Sequence, residues 1–359
     1  RHLSAGPQKY QLVQEAFREA VADRTFLRDT RENYYLYRQE KDGNEYVGLI
    51  AAVHVDDYHQ GKIKKHEKTL TRREEIFTDY LEHTGFNAEP VLLTYQDDLA
   101  LNRIYARYMQ ERPEYEFTST DRVLHQLWLI DEPTDHKSIE EAFARQDQLY
   151  LADGHHRCAS SALLAQRLDQ RSQPPQGEAH RHFMALLIGQ EQMKVYDYNQ
   201  LIRNTTGKSP ATILDELEEN FLVESRGARP CKPEKIHEIG MYLDETWYKL
   251  VPKTGSFDPG DPVHHLDAEI LSRNALAPIF DIHDLKADER IDFLPGTEGL
   301  EGLVREVHKG AFQMGFALHP VSVEQIKQVS DAGRTMPPKS TYIEPKLRSG
   351  LTVYPILEQ

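Results

Sequence analysis

QLYLADGHHRCASSALLAQRL, residues 148–168, decides how this chain is read. The apolar run Leu149, Tyr150, Leu151 stops at Asp153-Gly154, and two histidines and an arginine follow before an alanine-rich stretch. There Ala159, Ala162 and Leu163 recur at i, i+3, i+4, and Ala165 and Leu168 extend the same face. The pattern predicts strand, tight turn, helix. Gly154 permits the turn because it carries no Cβ. A helix N-terminus presents unbonded N–H groups and the positive end of the peptide dipole, which together attract an anion. Arg157 adds a fork that can hold a phosphate bidentately. Asp153 can orient a histidine or bind a metal. Capping alone needs neither His155 and His156 nor Arg157, so residues 153–157 point to phosphate chemistry.

Working outward, helices are predicted at 9–28, with Leu12, Val13, Ala16, Phe17 and Ala20 on one face, at 72–85 ending on Gly85, and at 97–110 and 137–146. Strands are predicted at 34–40, 47–55, 91–95, 124–130 and 182–188, with Asp42-Gly43 as a hairpin turn. The polar stretches 56–70 and 169–181 read as loops. Further on, Ser209-Pro210 starts a helix, strands pair at 239–243 and 247–251, helices follow at 264–275, 297–308 and 322–330, and a strand lies at 311–318. Helices and strands mix without strict alternation, which predicts an α+β fold rather than a doubly wound sheet. A boundary near 205 divides residues 1–205, with the phosphate turn, from an α+β subdomain at 206–359, whose Pro-rich end is expected to return to the site.

The chain has 359 residues, room for two domains. Its formal charge is −15, from 43 basic and 58 acidic residues. That balance argues against a general nucleic-acid binder, which needs a basic footprint. Two cysteines, Cys158 and Cys231, supply no disulfide framework and no zinc spacing, which fits a reducing cytoplasm. No apolar run approaches the roughly 18 residues of a membrane span, and no secretory signal is visible. The chain opens on Arg1 rather than Met, so a preceding segment is expected.

Two further clusters could carry chemistry. In GKIKKHEKTL, Lys64, Lys65, His66, Glu67 and Thr69 place a carboxylate beside a histidine and lysines, either a general base near an anionic substrate or a solvated Lys-rich turn. In residues 336–346, three prolines fix an extended path. Lys339, Ser340, Thr341 and Lys346 along it either line a phosphate pocket or belong to a rigid strap. His125 with Trp128, Asp197 to Asn199 with Arg203, His180 with His182, and the pair His264 and His265 are lesser candidates. Their histidines read as structural or incidental.

Taken together, KIKKHEKT (62–69), NAEPVLLTY (87–95), LYLADGHHRCAS (149–160), VYDYNQLI (195–202) and MPPKSTYIEPKLRSGL (336–351) resemble the family called domain of unknown function 1015. The pieces stand in that family's order over roughly residues 30–355. An Arg-Pro-Tyr-Asp-Val-like segment, usual near the start of family members, is not found here. More remotely, His-Glu followed by Asp-Gly-His-His-Arg before a helix resembles the ParB/sulfiredoxin fold, and within it the free-serine kinases.

That resemblance implies a ParB/sulfiredoxin-like mixed core with nucleotide or phosphate bound at the turn. By position it implies that Glu67, with His66 and Asp153, activates a substrate hydroxyl, and that Gly154, His155, His156 and Arg157 hold the transferring phosphate. If the Pro-rich element lines the same pocket with Ser340 and Thr341, Lys339 or Lys346 would clamp the far phosphates, within one ligand's length of Arg157. The expected activity is phosphoryl transfer on a small molecule, serine or phosphoserine, in the kinase or phosphatase direction, with Mg²⁺ and ADP or ATP. The partners are then a substrate and a nucleotide, not a membrane, and a homo-oligomer is compatible with this. A non-catalytic, nucleotide-gated ParB-like module and a metal-dependent phosphohydrolase using His155 and His156 are the alternatives.

Overall fold

The computed structural model describes residues 6–203 and 206–357. The hairpin at Asp42-Gly43 forms, both residues at positive φ (50° and 74°), as a two-residue turn that matches strand twist requires. It joins β1 (Tyr34–Lys41) to β2 (Asn44–His54). With β3 (Ile63–Lys64), β5 (Val91–Tyr95), β6 (Tyr115–Thr118), β7 (Leu124–Ile130), β8 (Leu149–Asp153) and β9 (His182–Gly189), these strands make an eight-stranded mixed sheet among the described residues, in the order β3-β8-β5-β9-β2-β1-β7-β6. β4 (Phe86–Asn87) lies apart from it. The central strands are apolar on both faces, and Leu36, Leu49, Leu93, Ile130, Leu151 and Ala185 are fully buried among them.

Helices α1 (Pro7–Ala22), α2 (Val55–His59), α3 (Thr71–Thr84), α4 (Leu99–Tyr108), α5 (Pro133–Ala144) and α6 (His155–Asp169) complete this part. α3 ends as expected on Gly85 in left-handed backbone, φ 79°. α1 ends at Ala22 rather than 28, because the Asp23 carboxylate accepts the Thr25 N–H at 2.9 Å and Arg24 turns left-handed. α5 starts at Pro133, earlier than expected, since proline suits the first helical turn. The presumed loop 56–70 holds the short α2, where His54 Nδ1 accepts the Asp56 N–H at 3.1 Å, and then β3.

The chain divides into Arg1–Met193 with Pro345–Gln359, and Lys194–Glu344. The boundary expected near 205 therefore falls at 193/194, because Lys194–Tyr196 (β10) pairs within the second unit with Tyr342–Glu344 (β17). The last residues rejoin the first unit, where Tyr354–Pro355 (β18) pairs with β4 and Ile356 packs with Leu81, Leu164 and Leu168.

The second unit is α+β in its own right. Strands β11 (Tyr198–Ile202), β12 (Phe221–Gly227), β13 (Ile239–Leu243), β14 (Thr246–Pro252), β15 (Ile291–Pro295) and β16 (Met314–Ala317) form a six-stranded antiparallel sheet in the order β12-β14-β13-β16-β11-β15. It carries α7 (Pro210–Leu217), α8 (Asp267–Leu271), α9 (Ala277–Phe280), α10 (Gly299–His308) and α11 (Val323–Asp331). Ser209 caps α7 as expected, its Oγ accepting the Thr212 N–H at 3.2 Å. The single helix expected at 264–275 is instead α8, a π-turn over Ser272–Leu276, and α9. Pro278 has no N–H to return to the previous turn, and the backbone widens ahead of it.

Candidate functional site

Strand directions assemble the site. β3 runs parallel to β8, with Ile63 opposite Leu149 and Lys64 opposite Tyr150. The chain leaving β3 (Lys65, His66, Glu67) therefore emerges at the same sheet edge as the Asp153-Gly154 turn. β5 runs antiparallel to β8, with Leu92 opposite Asp153, so the residues leading into β5, Glu89 and Pro90, meet that edge too. Three segments far apart in sequence thus surround the start of α6.

At that start the N-cap is Gly154, left-handed at φ 94° and without a side chain to cap α6. The helix is pinned by α3, where the Thr78 hydroxyl donates to the Ser160 carbonyl at 3.3 Å and Arg167 pairs with Asp79 at 2.7 Å and Glu82 at 3.1 Å. His155 in the first turn is 5% exposed, and His66, beside it, is 1% exposed. Their rings meet edge-on, centroids 4.6 Å apart at 88°. The Glu67 carboxylate, 46% exposed, lies with Oε2 3.6 Å from His155 Nδ1. One donor atom from each of His66, Glu67 and His155 lies within 4.8 Å of the others.

Burial pushes the His66 imidazole down to about 4, against the opposing pull of Asp153 and the Leu151 carbonyl. Burial also holds His155 well below its usual value, helped by His66, His156 and Lys65. At both rings burial favours the neutral form. Neither ring nitrogen of His66, nor Nε2 of His155, has a hydrogen-bond partner of good geometry. Each such buried group costs about 1–3 kcal/mol, an arrangement a core histidine avoids. Cys158, fully buried one turn further on, is held as a neutral thiol by burial and is no nucleophile.

Arg157 is committed within the protein. Its guanidinium pairs with Glu89, donates to the Pro90 carbonyl at 2.7 Å, and reaches Asp153 at 3.3 Å. It folds over Gly154, where a Cβ would sit 3.0 Å from its Nε and Nη2. Gly154 is thus required twice, for its φ and for the arginine. Glu89 also accepts the Ser349 hydroxyl at 2.9 Å, and the Gly350 N–H donates to the Ala88 carbonyl at 2.7 Å. Ser349 thus meets Glu89 at this edge. Sequence reasoning missed both. Glu89 immediately before Pro90 and an apolar strand was the available signal.

The Pro-rich element is shared between the two units. Lys346 belongs to the first, where its carbonyl accepts from Gln39 Nε2 at 3.1 Å. Lys339, Ser340 and Thr341 belong to the second. There the Lys339 ammonium sits 5.1 Å over the Tyr198 ring, and the buried Ser340 hydroxyl donates to the Pro337 carbonyl at 2.7 Å. Lys65 lies 4.1 Å over the Tyr58 ring. His125 is a satisfied core histidine, between the Tyr37 hydroxyl at 2.7 Å and the Ser119 hydroxyl at 3.1 Å. His180 contacts Asp169 at 2.8 Å, and His265 contacts the Asp261 carbonyl at 2.9 Å.

The family described as protein of unknown function (DUF1015) matches residues 2–269, and the chain belongs to it. No curated protein matches the chain. Among solved structures, a free serine kinase mutant in complex with ADP is 14% identical, with 84% of this chain and 91% of that chain covered, at a TM-score of 0.42. SbnI with a C-terminal truncation, from Staphylococcus aureus, is 15% identical, with 82% of each chain covered, at a TM-score of 0.43. A conserved hypothetical protein from Pyrococcus furiosus is 15% identical, with 84% of this chain and 94% of that chain covered, at a TM-score of 0.40. Among the described residues no helix is long and apolar enough to cross a membrane.

Proposed function

We propose that this protein transfers a phosphoryl group between a nucleotide and the hydroxyl of a small molecule, in the manner of a serine kinase. The observation that carries this reading is the meeting of Glu67, a half-exposed carboxylate, with His155 in the first turn of α6, directly after the Gly154 turn. Phosphoryl transfer needs little beyond positioning and charge stabilisation. The amides at the start of α6 would hold the transferring phosphate. Glu67 would take the substrate proton while the hydroxyl oxygen bonds to phosphorus. The bond to the nucleotide oxygen breaks, and its electron pair leaves with the nucleotide.

Asp153 would steady the turn and offer an oxygen to a Mg²⁺ carried in on the nucleotide, which suits an ion that prefers oxygen ligands and keeps its waters. Arg157 would reach a phosphate by exchanging Glu89 for it. His66 is too buried to touch substrate and would position Glu67 and His155. Serine is the substrate favoured by the His-Glu and Asp-Gly-His-His-Arg pair.

³¹P NMR tests this. One tube holds the protein, Mg²⁺, serine and ADP or ATP, and a second holds the protein with phosphoserine. A new phosphomonoester or free phosphate signal, absent with Glu67→Gln, is the expected result. Silence in both tubes with saturable nucleotide binding would overturn it in favour of a nucleotide-gated module.

A further inference from the structure

The base reading uses Glu67 and leaves His66 and His155 without chemistry. Both rings are buried, set edge-on, and hold between them three ring nitrogens with no good partner. Such groups call for an explanation, one being an ion that takes their lone pairs. The third member of the cluster is a carboxylate, and the three donor atoms lie within 4.8 Å of one another, with Glu67 Oε2 3.6 Å from His155 Nδ1. Around a tetrahedral ion at zinc-like bond lengths, donor atoms stand about 3.3 Å apart.

We propose that His66, Glu67 and His155 form a three-ligand site for a divalent transition metal of the zinc class, with further coordination positions open on the solvent side of Glu67. Two imidazoles and one carboxylate select this class, whereas Mg²⁺ and Ca²⁺ take oxygen sets. Three protein ligands with an open position are the pattern of sites that bind water or a substrate oxygen rather than purely structural ones. The site shares Glu67 with the phosphoryl-transfer reading but does not rest on it.

The full chain, freed of metal with a chelator and dialysed, is titrated with Co²⁺ without nucleotide or substrate. The expected result is one Co²⁺ per chain with the intense visible bands of four- or five-coordinate cobalt, displaced by Zn²⁺ and not by excess Mg²⁺. Glu67→Gln and His155→Gln should each weaken binding at least tenfold. His283→Gln, on an exposed histidine paired with Asp281, should leave it unchanged. His66 is the ligand whose loss is most apt to unfold the chain, so the exposed Glu67 carries the test. Absent bands, only weak octahedral bands, or bands indifferent to Glu67→Gln and His155→Gln would overturn the site. Because no phosphate compound is present, that failure leaves phosphoryl transfer untouched, and phosphoryl transfer can fail with the metal bound.

Discussion

Helix α11 opens closed on itself, and helix α6 opens with none of its side chains on its first amides. At α11 the Ser322 hydroxyl accepts the Gln325 N–H at 3.1 Å, and the Gln325 side chain accepts the Ser322 N–H at 3.0 Å, a reciprocal capping box. At α6 the cap is Gly154, which has nothing to offer. An uncapped start is not by itself unusual, since α3 and α5 also lack a side-chain cap. What separates α6 is its company: two buried neutral imidazoles, a half-exposed carboxylate and an arginine held by Glu89. The contrast teaches that α11 closes its start from its own sequence, whereas beside the start of α6 buried imidazole nitrogens stay unsatisfied where three chain segments converge.

Four changes break or sharpen that contrast. The largest effect is expected at Glu67. Glu67→Gln should lower phosphoryl transfer by about 10²–10⁴-fold, the usual value of a general base. Its half-exposed position should keep the stability change within about 0.5 kcal/mol, read by urea unfolding beside the ³¹P assay.

The second prediction sets buried groups of the two units against each other. His66 is pushed down to about 4, below the ~6.5 of an unfolded histidine. The unfolded chain therefore binds the extra proton, and the first unit loses roughly 3 kcal/mol as pH falls from ~6.5 to ~4. Asp267 is pushed up to about 7 by burial, against its hydrogen bond from the His237 N–H. Here the folded state binds the extra proton, so the Asp267 contribution is fully present below pH ~4 and about 3–4 kcal/mol of it is lost as pH rises from there to 7. Asp267→Asn keeps an acceptor for His237 and should remove that upward-pH loss. Amide hydrogen exchange resolved by unit should show opposite pH slopes, the second abolished in the variant.

Third, Gly154→Ala forces a Cβ into left-handed backbone and against Arg157. A loss of about 1–2 kcal/mol with weakened nucleotide binding is expected from denaturation and calorimetry. Fourth and smallest, Ser322→Ala should cost about 1 kcal/mol and leave nucleotide binding as it was. Equal effects of the two variants on binding would erase the contrast.

Much of this was legible where local rules suffice. The strand, turn and helix of 149–169, the stop at Gly85, the hairpin at Asp42-Gly43 and the cap at Ser209-Pro210 each follow from one residue's backbone preference or a short apolar period. β6 was not, because it is only four residues long and all four are exposed at the sheet edge. α2 was hidden by having one buried residue and a cap from a histidine, an uncommon capper. For the site, Asp153 to Arg157 stand out by composition, but Glu67 gains weight only through resemblance. Its meeting with His155 depends on the parallel pairing of β3 with β8, which no local pattern encodes. Glu89 sits 68 residues from Arg157 and Ser349 sits 260 residues from Glu89, and single polar residues at such distances give no sequence signal.

The most direct measurement is a ¹H–¹⁵N titration of the labelled protein with ADP and Mg²⁺, following the amides of His155, His156 and Arg157 beside those of Val323, Glu324 and Gln325. The account predicts large, saturable shifts at the start of α6 and none at the start of α11. Shifts absent from α6, or equal at both helices, would contradict it.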